Sequence, residues 1–144
     1  MFLGEHQHTL DAKGRIILPS RFRERLAGGL VLVPGQDHCI DIYPVATFER
    51  RVEQLRALPR EDQRARAYLR IFLAGAHQDT PDTQGRVTLP PRLRSYAGLE
   101  RDLTVVGADE KVEVWDRDAW EAYREGAERA FADLDSPFAF PPTV

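Results

Sequence analysis

Gly4 to Arg23 (GEHQHTLDAKGRIILPSRFR) returns 71 positions later as Gly75 to Arg94 (GAHQDTPDTQGRVTLPPRLR), with eleven of the twenty positions identical. The match continues more loosely. Leu30–Val33 corresponds to Leu103–Val106, Cys39-Ile-Asp-Ile-Tyr43 to Lys111-Val-Glu-Val-Trp115, and Phe48-Glu49 to Trp120-Glu121. Two units of about 45 residues are too few for a solenoid, in which three or more repeats stack to bury a continuous core. Two equivalent halves related by a pseudo-twofold axis are the simpler architecture. Each half then supplies the partner that the other half's strand edges need.

Local signals within each unit agree. His6–Leu10 and Arg15–Leu18 are β-prone runs separated by Asp11-Ala-Lys-Gly14, a turn by its Asp and Gly. Pro19 opens a short helix that runs to Leu26, and Gly28-Gly29 ends it. Leu30–Val33 and Ile40–Tyr43 are further strands around a turn that begins at Pro34-Gly35. The predicted order is β-β-α-β-β, twice. Between the units, Val45, Phe48, Val52, Leu55 and Leu58 form an amphipathic stripe that Pro59 breaks. Ala65, Tyr68, Leu69, Phe72 and Leu73 form a second stripe on a helix over Glu61–Ala74. Asp116–Leu134 is the matching helix after the second unit, with Asp116 as N-cap. The expected fold is mixed α+β, mainly β. Residues 1–58 form the first repeat with its C-terminal helix, 59–74 a connecting helix, 75–134 the second repeat with its helix, and 135–144 a flexible tail.

At 144 residues and 42% hydrophobic content, the chain has enough apolar side chains for a packed core and too many for a disordered one. No apolar run approaches the roughly 18 residues of a bilayer span. The start MFLGEHQHTLD lacks the basic-then-apolar pattern of a signal peptide. The expectation is a cytoplasmic protein with no membrane partner. Cys39 is the single cysteine, which excludes an intramolecular disulfide and a Cys-based zinc site; near Val33 and Ile40, it reads as a small buried hydrophobe. The formal net charge is −3, but its distribution is uneven. Residues 1–94 hold 15 Lys+Arg against 11 Asp+Glu, and residues 95–144 hold 5 against 12. Eighteen of the 20 basic residues are arginine, whose planar fork suits phosphate and guanine. This asymmetry permits a polyanionic partner.

The sharpest motif is Asp11-x-x-Gly-Arg15, repeated as Asp82-x-x-Gly-Arg86. The Asp carboxylate can cap backbone N–H groups of a turn, and Gly14 or Gly85 can take positive φ. Arg15 and Arg86 then stand at the head of a strand. From the residues alone two readings stay open: each arginine faces an anion, or each braces its turn against the nearby Asp. Asp-x-x-Gly also occurs in GTPases, but the Gly-x-x-x-x-Gly-Lys-[Ser/Thr] loop that must precede it is absent. His6, His8, His77 and Asp79 lack a metal-ligand pattern and read as strand residues, the histidines bonded to backbone. No Ser-His-Asp or Cys-His arrangement suggests itself, so nothing points to an enzyme, a cofactor, a metal or a small-molecule substrate. The duplicated feature is a basic turn followed by Pro-x-Arg-x-Arg. A repeating polyanion matches two copies of a cationic loop, whereas a catalytic centre rarely needs them. Nucleic-acid binding ranks first, an assembly module second and an enzyme third.

The pattern Asp-x-x-Gly-Arg-[Ile/Val]-x-Leu-Pro-x-Arg-x-Arg resembles the swapped-hairpin DNA-binding module of the AbrB and SpoVT proteins. Two copies in one chain, each followed by [Tyr/Trp]-[Pro/Asp]-x-x-x-[Phe/Trp]-Glu, resemble the MraZ family over residues 1–132, as does the start Met-Phe-x-Gly-x-x-x-x-x-Leu-Asp-x-Lys-Gly-Arg. The resemblance implies a pseudo-twofold, double-psi-like β-barrel of the AbrB type, closed by interleaved hairpins from the two repeats. It also implies a bacterial, nucleoid-associated transcriptional regulator, usually a repressor. Such a protein binds repeated operator boxes on double-stranded DNA upstream of the division and cell wall gene cluster, its own gene included, and assembles into a homo-oligomeric ring. Carried over by residue, Lys13, Arg15, Gln84 and Arg86 would contact phosphate and base edges. Asp11, Gly14, Asp82 and Gly85 would shape the turns. Arg21, Arg23, Arg92 and Arg94 are further DNA candidates that can equally brace the barrel. Lys13 is matched by uncharged Gln84, so the second loop would hold phosphate less strongly. The alternatives are an AbrB-type antitoxin, which usually has one such module plus a toxin-binding tail, and an oligomeric scaffold, which needs no pair of arginine loops.

Overall fold

A computed structural model of the chain describes residues 1–139. The first half runs β1 (Glu5–Thr9), β2 (Arg15–Ile17), α1 (Ser20–Leu26), β3 (Leu30–Pro34), β4 (Ile40–Pro44) and α2 (Val45–Leu55). Helix α3 (Gln63–Ala74) leads to the second half, β5 (His77–Asp79), β6 (Arg86–Thr88), α4 (Pro91–Tyr96), β7 (Asp102–Ala108), β8 (Lys111–Asp116) and α5 (Arg117–Asp133). The predicted order appears twice. Pro19, Pro44 and Pro90 stand immediately before α1, α2 and α4, where a fixed φ presets the first turn at no cost in hydrogen bonds. Carboxylates start the other two helices: Asp62 accepts from Arg64 N at 2.8 Å and Asp116 from Ala119 N at 3.0 Å.

The strands form an antiparallel six-stranded sheet in the order β1-β7-β8-β4-β3-β5 and a separate two-stranded ribbon, β2-β6. Exchanging the halves (β1 with β5, β3 with β7, β4 with β8) reverses the sheet order and leaves it unchanged, so the pairing carries the pseudo-twofold of the repeat. Strand β1 of the first half is bonded to β7 of the second, and β5 of the second to β3 of the first. The sheet does not close. Its ends, β1 and β5, are not paired with each other, and the three-residue strands β2 and β6 pair only with one another. The closed barrel implied by the resemblance is therefore replaced by an open sheet capped by a ribbon.

Two apolar layers follow from strand alternation. Leu32, Ile40, Ile42, Val105, Val112 and Val114 face inward, where Ile16 and Val87 of the ribbon and Phe22, Leu26 and Leu93 of α1 and α4 cover them. Most of these residues are repeat partners, so the core is itself duplicated. On the outer face, Val31, Val33 and Tyr43 meet Phe48, Val52 and Leu55 of α2 and Tyr68, Leu69 and Phe72 of α3. The predicted stripes are thus largely consumed within the chain, although Leu73 remains about half exposed. In the second half α5 alone takes this place, with Trp120 and Tyr123 packed on Trp115. In the segment read as a flexible tail, Pro137–Ala139 form one 3-10 turn, and 140–144 lie outside the described residues.

Because β1–β7, β2–β6, β4–β8 and β5–β3 all join opposite halves, residues 1–71 alone leave β1 and β2 without a partner and β3 and β4 paired only with each other. A chain ending at residue 71 is expected to be unfolded or to pair with a second copy, as read by circular dichroism with light scattering. A folded monomer would contradict this account of the topology.

Candidate nucleic-acid interface

The two Asp-x-x-Gly-Arg segments fold into the same turn. Asp11 Oδ1 accepts from Lys13 N at 2.9 Å and Arg15 N at 2.8 Å, while Asp11 Oδ2 accepts from Arg15 Nε at 2.8 Å. Asp82 repeats this with Gln84 N, Arg86 N and Arg86 Nε at 2.9, 2.8 and 2.7 Å. These bonds, the backbone N–H of Arg15 or Arg86 first, hold both carboxyls below the usual Asp range. Gly14 and Gly85 take φ of 77° and 76°. The bracing reading and the anion-facing reading are compatible: the aspartate engages Nε of each arginine, and among the described residues no hydrogen bond engages its two terminal nitrogens.

Each loop is locked by the other half. Leu18 N donates to Gly85 O at 2.9 Å and Leu89 N to Gly14 O at 2.8 Å. Arg23, with Nε bonded to Leu18 O, lies against Gly85, and Arg94, bonded to Leu89 O, lies against Gly14. A Cβ on Gly85 would sit 2.6 Å from Arg23 Nε, and one on Gly14 would sit 2.9 Å from Arg94 Cζ. Glycine is therefore required by φ, and a Cβ there would also have to push the guanidinium aside. Arg23 and Arg94 brace the loops, while Arg21 and Arg92 are exposed on α1 and α4.

The ribbon brings the two arginines together. Arg15 lies opposite Thr88 and Arg86 opposite Ile17. Ile16 and Val87 point into the core, so Arg15, Ile17, Arg86 and Thr88 share the outer face. The loops sit at opposite ends of the ribbon, but their arginines are diagonal neighbours, about 7–8 Å apart. Five cations, Lys13, Arg15, Arg23, Arg86 and Arg94, stand here against two carboxylates, Asp11 and Asp82. Ile17 and Thr88 carry no signal in the sequence beyond their place in the strands.

Of the histidines, His6 differs from expectation in its hydrogen bonding. His6 and His8 lie on β1 and His77 and Asp79 on β5, the two ends of the sheet, so they form no cluster. The His6 ring packs edge-on against Phe22 at 5.2 Å, and among the described residues its buried Nε2 has no hydrogen-bond partner, where a backbone bond was predicted. Cys39 is buried as expected, but its thiol approaches Gln36 O and Asp41 Oδ1, and burial, followed by Asp41, pushes it well above the usual thiol range. Sequence reasoning missed the group around it: Cys39, Asp41 and Glu113 bring possible ligand atoms within 4.8 Å of one another. Lys111 Nζ bonds Asp41 at 2.9 Å and Glu113 at 3.3 Å, so an ammonium already supplies the positive charge there. No described helix is long and apolar enough to cross a membrane.

A family model described as "MraZ protein, putative antitoxin-like" matches residues 1–71 and again 72–137. The chain belongs to the MraZ family. Its relatives include proteins named transcriptional regulator MraZ from Salinispora arenicola and Salinispora tropica, each 53% identical over 135 residues, which is 94% of this chain and 95% of theirs. The same name and identity are found in Paenarthrobacter aurescens, over 94% of both chains. The two matches of the MraZ model meet at 71/72, the step of the internal repeat.

Two predictions follow from the loop geometry. Gly98 also has positive φ, 64°, but open space around it, so Gly98→Ala isolates the backbone penalty of about 1–2 kcal/mol. Gly14→Ala and Gly85→Ala should each lower the melting temperature further, and adding Arg94→Ala to Gly14→Ala should recover part of the loss. Equal losses at the three glycines would remove the steric argument. The depressed carboxyls set a pH dependence: their stabilisation is present above the unfolded Asp value near 3.9 and is lost as pH falls through the lower folded values. The stability gap between wild type and Asp11→Asn/Asp82→Asn should therefore be largest above pH ~5 and shrink toward pH ~2. A pH-independent gap would exclude the carboxylate as the turn's stabiliser.

Proposed function

We propose that this chain is a DNA-binding transcriptional regulator that enters the major groove with the outer face of the β2–β6 ribbon. The observation that carries the reading is the diagonal placement of Arg15 and Arg86 on that face, their terminal guanidinium nitrogens without a hydrogen bond among the described residues. A two-stranded ribbon fits the major groove. The diagonal of about 7–8 Å matches two base-pair steps of roughly 3.4 Å each. Lys13 and Gln84, in the flanking loops, contact the backbone, Lys13 more strongly. The name its relatives bear, transcriptional regulator, supports the same reading.

As in the family it resembles, the regulator represses the division and cell wall gene cluster, including its own gene, at repeated operator boxes on the nucleoid. Assembly into a ring would present many ribbons to those repeats and raise avidity without new contacts. Exposed Ile71 on α3 and Phe131 on α5, 61% and 81% accessible, are the apolar surface that supports association. Light scattering at micromolar concentration should find an oligomer, and a monomer would refute this part of the proposal.

Arg15→Ala should weaken operator binding with little change in fold, because the Asp11 turn keeps its two backbone bonds. If Arg15 contacts phosphate, affinity falls for all sequences and the salt slope drops by about one. If it forks onto guanine, roughly 1–3 kcal/mol of discrimination at one base disappears. Arg86→Ala should resemble it, and Lys13→Gln should be milder. Unchanged affinity with lowered thermal stability would reduce both arginines to turn braces.

A further inference from the structure

The outer face of the β2–β6 ribbon presents four side chains, Arg15 and Ile17 from β2 and Arg86 and Thr88 from β6. The register sets Arg15 across from Thr88 and Arg86 across from Ile17, so each end of the ribbon carries one guanidinium beside one short β-branched side chain. Ile17 and Thr88 are equivalent positions of the repeat, as are Lys13 and Gln84 in the loops. Lys13 precedes Arg15 and belongs to the Thr88 end, whereas Gln84 precedes Arg86 and belongs to the Ile17 end. The two arginines are symmetric; their surroundings are not.

The fold does not account for an isoleucine at position 17. Its neighbours Ile16 and Leu18 are buried in the core, whereas Ile17 is 46% exposed on the other side of the strand. The equivalent position holds exposed Thr88, which serves β-propensity equally well, so the same pairing forms without an apolar residue there. A lone exposed apolar side chain is ordinary on a protein surface. This one stands directly across from Arg86 and two residues along the strand from Arg15, on the face that meets DNA in the reading above. Isoleucine has no donor or acceptor, so it gains nothing from phosphate or from base edges that need a hydrogen bond. Among the four bases, only thymine shows a methyl group in the major groove. Thr88 keeps a hydroxyl that can bond to any base edge or to a phosphate, so the other end is not restricted in this way.

We propose that, with the ribbon in the major groove as the preceding reading requires, Ile17 packs on the C5-methyl of a thymine beside the base contacted by Arg86, and so gives the recognised box a direction. Side chains directly opposite on a ribbon lie about 4.5–5.5 Å apart at Cβ, which places that thymine within about two base-pair steps of roughly 3.4 Å from the Arg86 contact. The full-length protein would select its site from a random duplex pool, and each thymine of the selected duplex would then be replaced in turn by deoxyuridine. That replacement deletes the methyl and leaves base pairing intact. One position should weaken binding about fourfold, the worth of one buried methyl group. Ile17→Ala should bind the unmodified duplex more weakly by at least that factor and no longer distinguish thymine from deoxyuridine at that position. Thr88→Ile should gain a second sensitive position when thymine is placed at the mirror-related step beside the Arg15 contact. The proposal is overturned if every deoxyuridine replacement is silent, or if the sensitive position persists in Ile17→Ala. The deoxyuridine comparison uses the unaltered protein, so a folding defect cannot mimic it. Failure of the ribbon reading looks different: Arg15→Ala and Arg86→Ala then keep full affinity, whereas both lose affinity when only the assignment of Ile17 is wrong. A pool from which no sequence is enriched overturns both.

Discussion

The guanidinium of Arg23, anchored through Nε to Leu18 O in its own half, packs on Gly85 of the other half, while Arg94, anchored to Leu89 O, packs on Gly14. Beside each contact a backbone bond crosses between the halves, Leu18 N to Gly85 O and Leu89 N to Gly14 O. Each loop, shaped locally by its own aspartate and glycine, is packed against the helix arginine of the opposite unit. These reciprocal contacts flank the β2–β6 ribbon, whose register sends Ile16 and Val87 inward and Arg15 and Arg86 outward. A slip of one residue would exchange the two sets and bury the arginines.

The duplication is faithful on the inner side of the sheet and breaks down on the outer side. Inside, Ile16 and Val87, Leu18 and Leu89, and Ile42 and Val114 are paired equivalents in one core. Outside, the α2–α3 pair covers β3 and β4, whereas α5 alone lies over β8. The equivalents Cys39 and Lys111, and Asp41 and Glu113, therefore meet at the centre of the sheet in unlike surroundings. Lys111 serves the carboxylates of both halves. In a perfect repeat a second cysteine would stand there and two buried carboxylates would face each other uncompensated, an arrangement costly in a dry environment. Lys111, at the position equivalent to Cys39, supplies the positive charge between Asp41 and Glu113.

Much of this was legible in the chain itself. The offset of 71 announces two halves, the prolines mark helix starts, and Asp-x-x-Gly-Arg marks both turns, because these signals act over a few residues. Three features were not legible. Whether the sheet closes depends on where β1 and β5 end up, at opposite ends of six strands, which no local pattern encodes. The bracing role of Arg23 and Arg94 requires a contact across about 60 residues of chain or more, between groups that each look like ordinary solvated helix arginines. The Lys111–Asp41 pair, 70 residues apart, reads in sequence as two charges in alternating strands.

The sequence by itself determined that the molecule is built from two exchanged copies of one unit, with a tight acidic-capped turn and an arginine in each. Turn chemistry, glycine at positive φ and period-two alternation are properties of the local backbone, and they hold wherever the segment is placed. Only the tertiary structure decided that the two arginines become diagonal neighbours on one ribbon rather than separate sites, that the sheet stays open, and that a charged pair joins the two halves at the centre of the sheet. Each of these depends on which strand lies beside which. That choice is made by burying the apolar faces of both halves together, a sum over the whole chain that no single segment records.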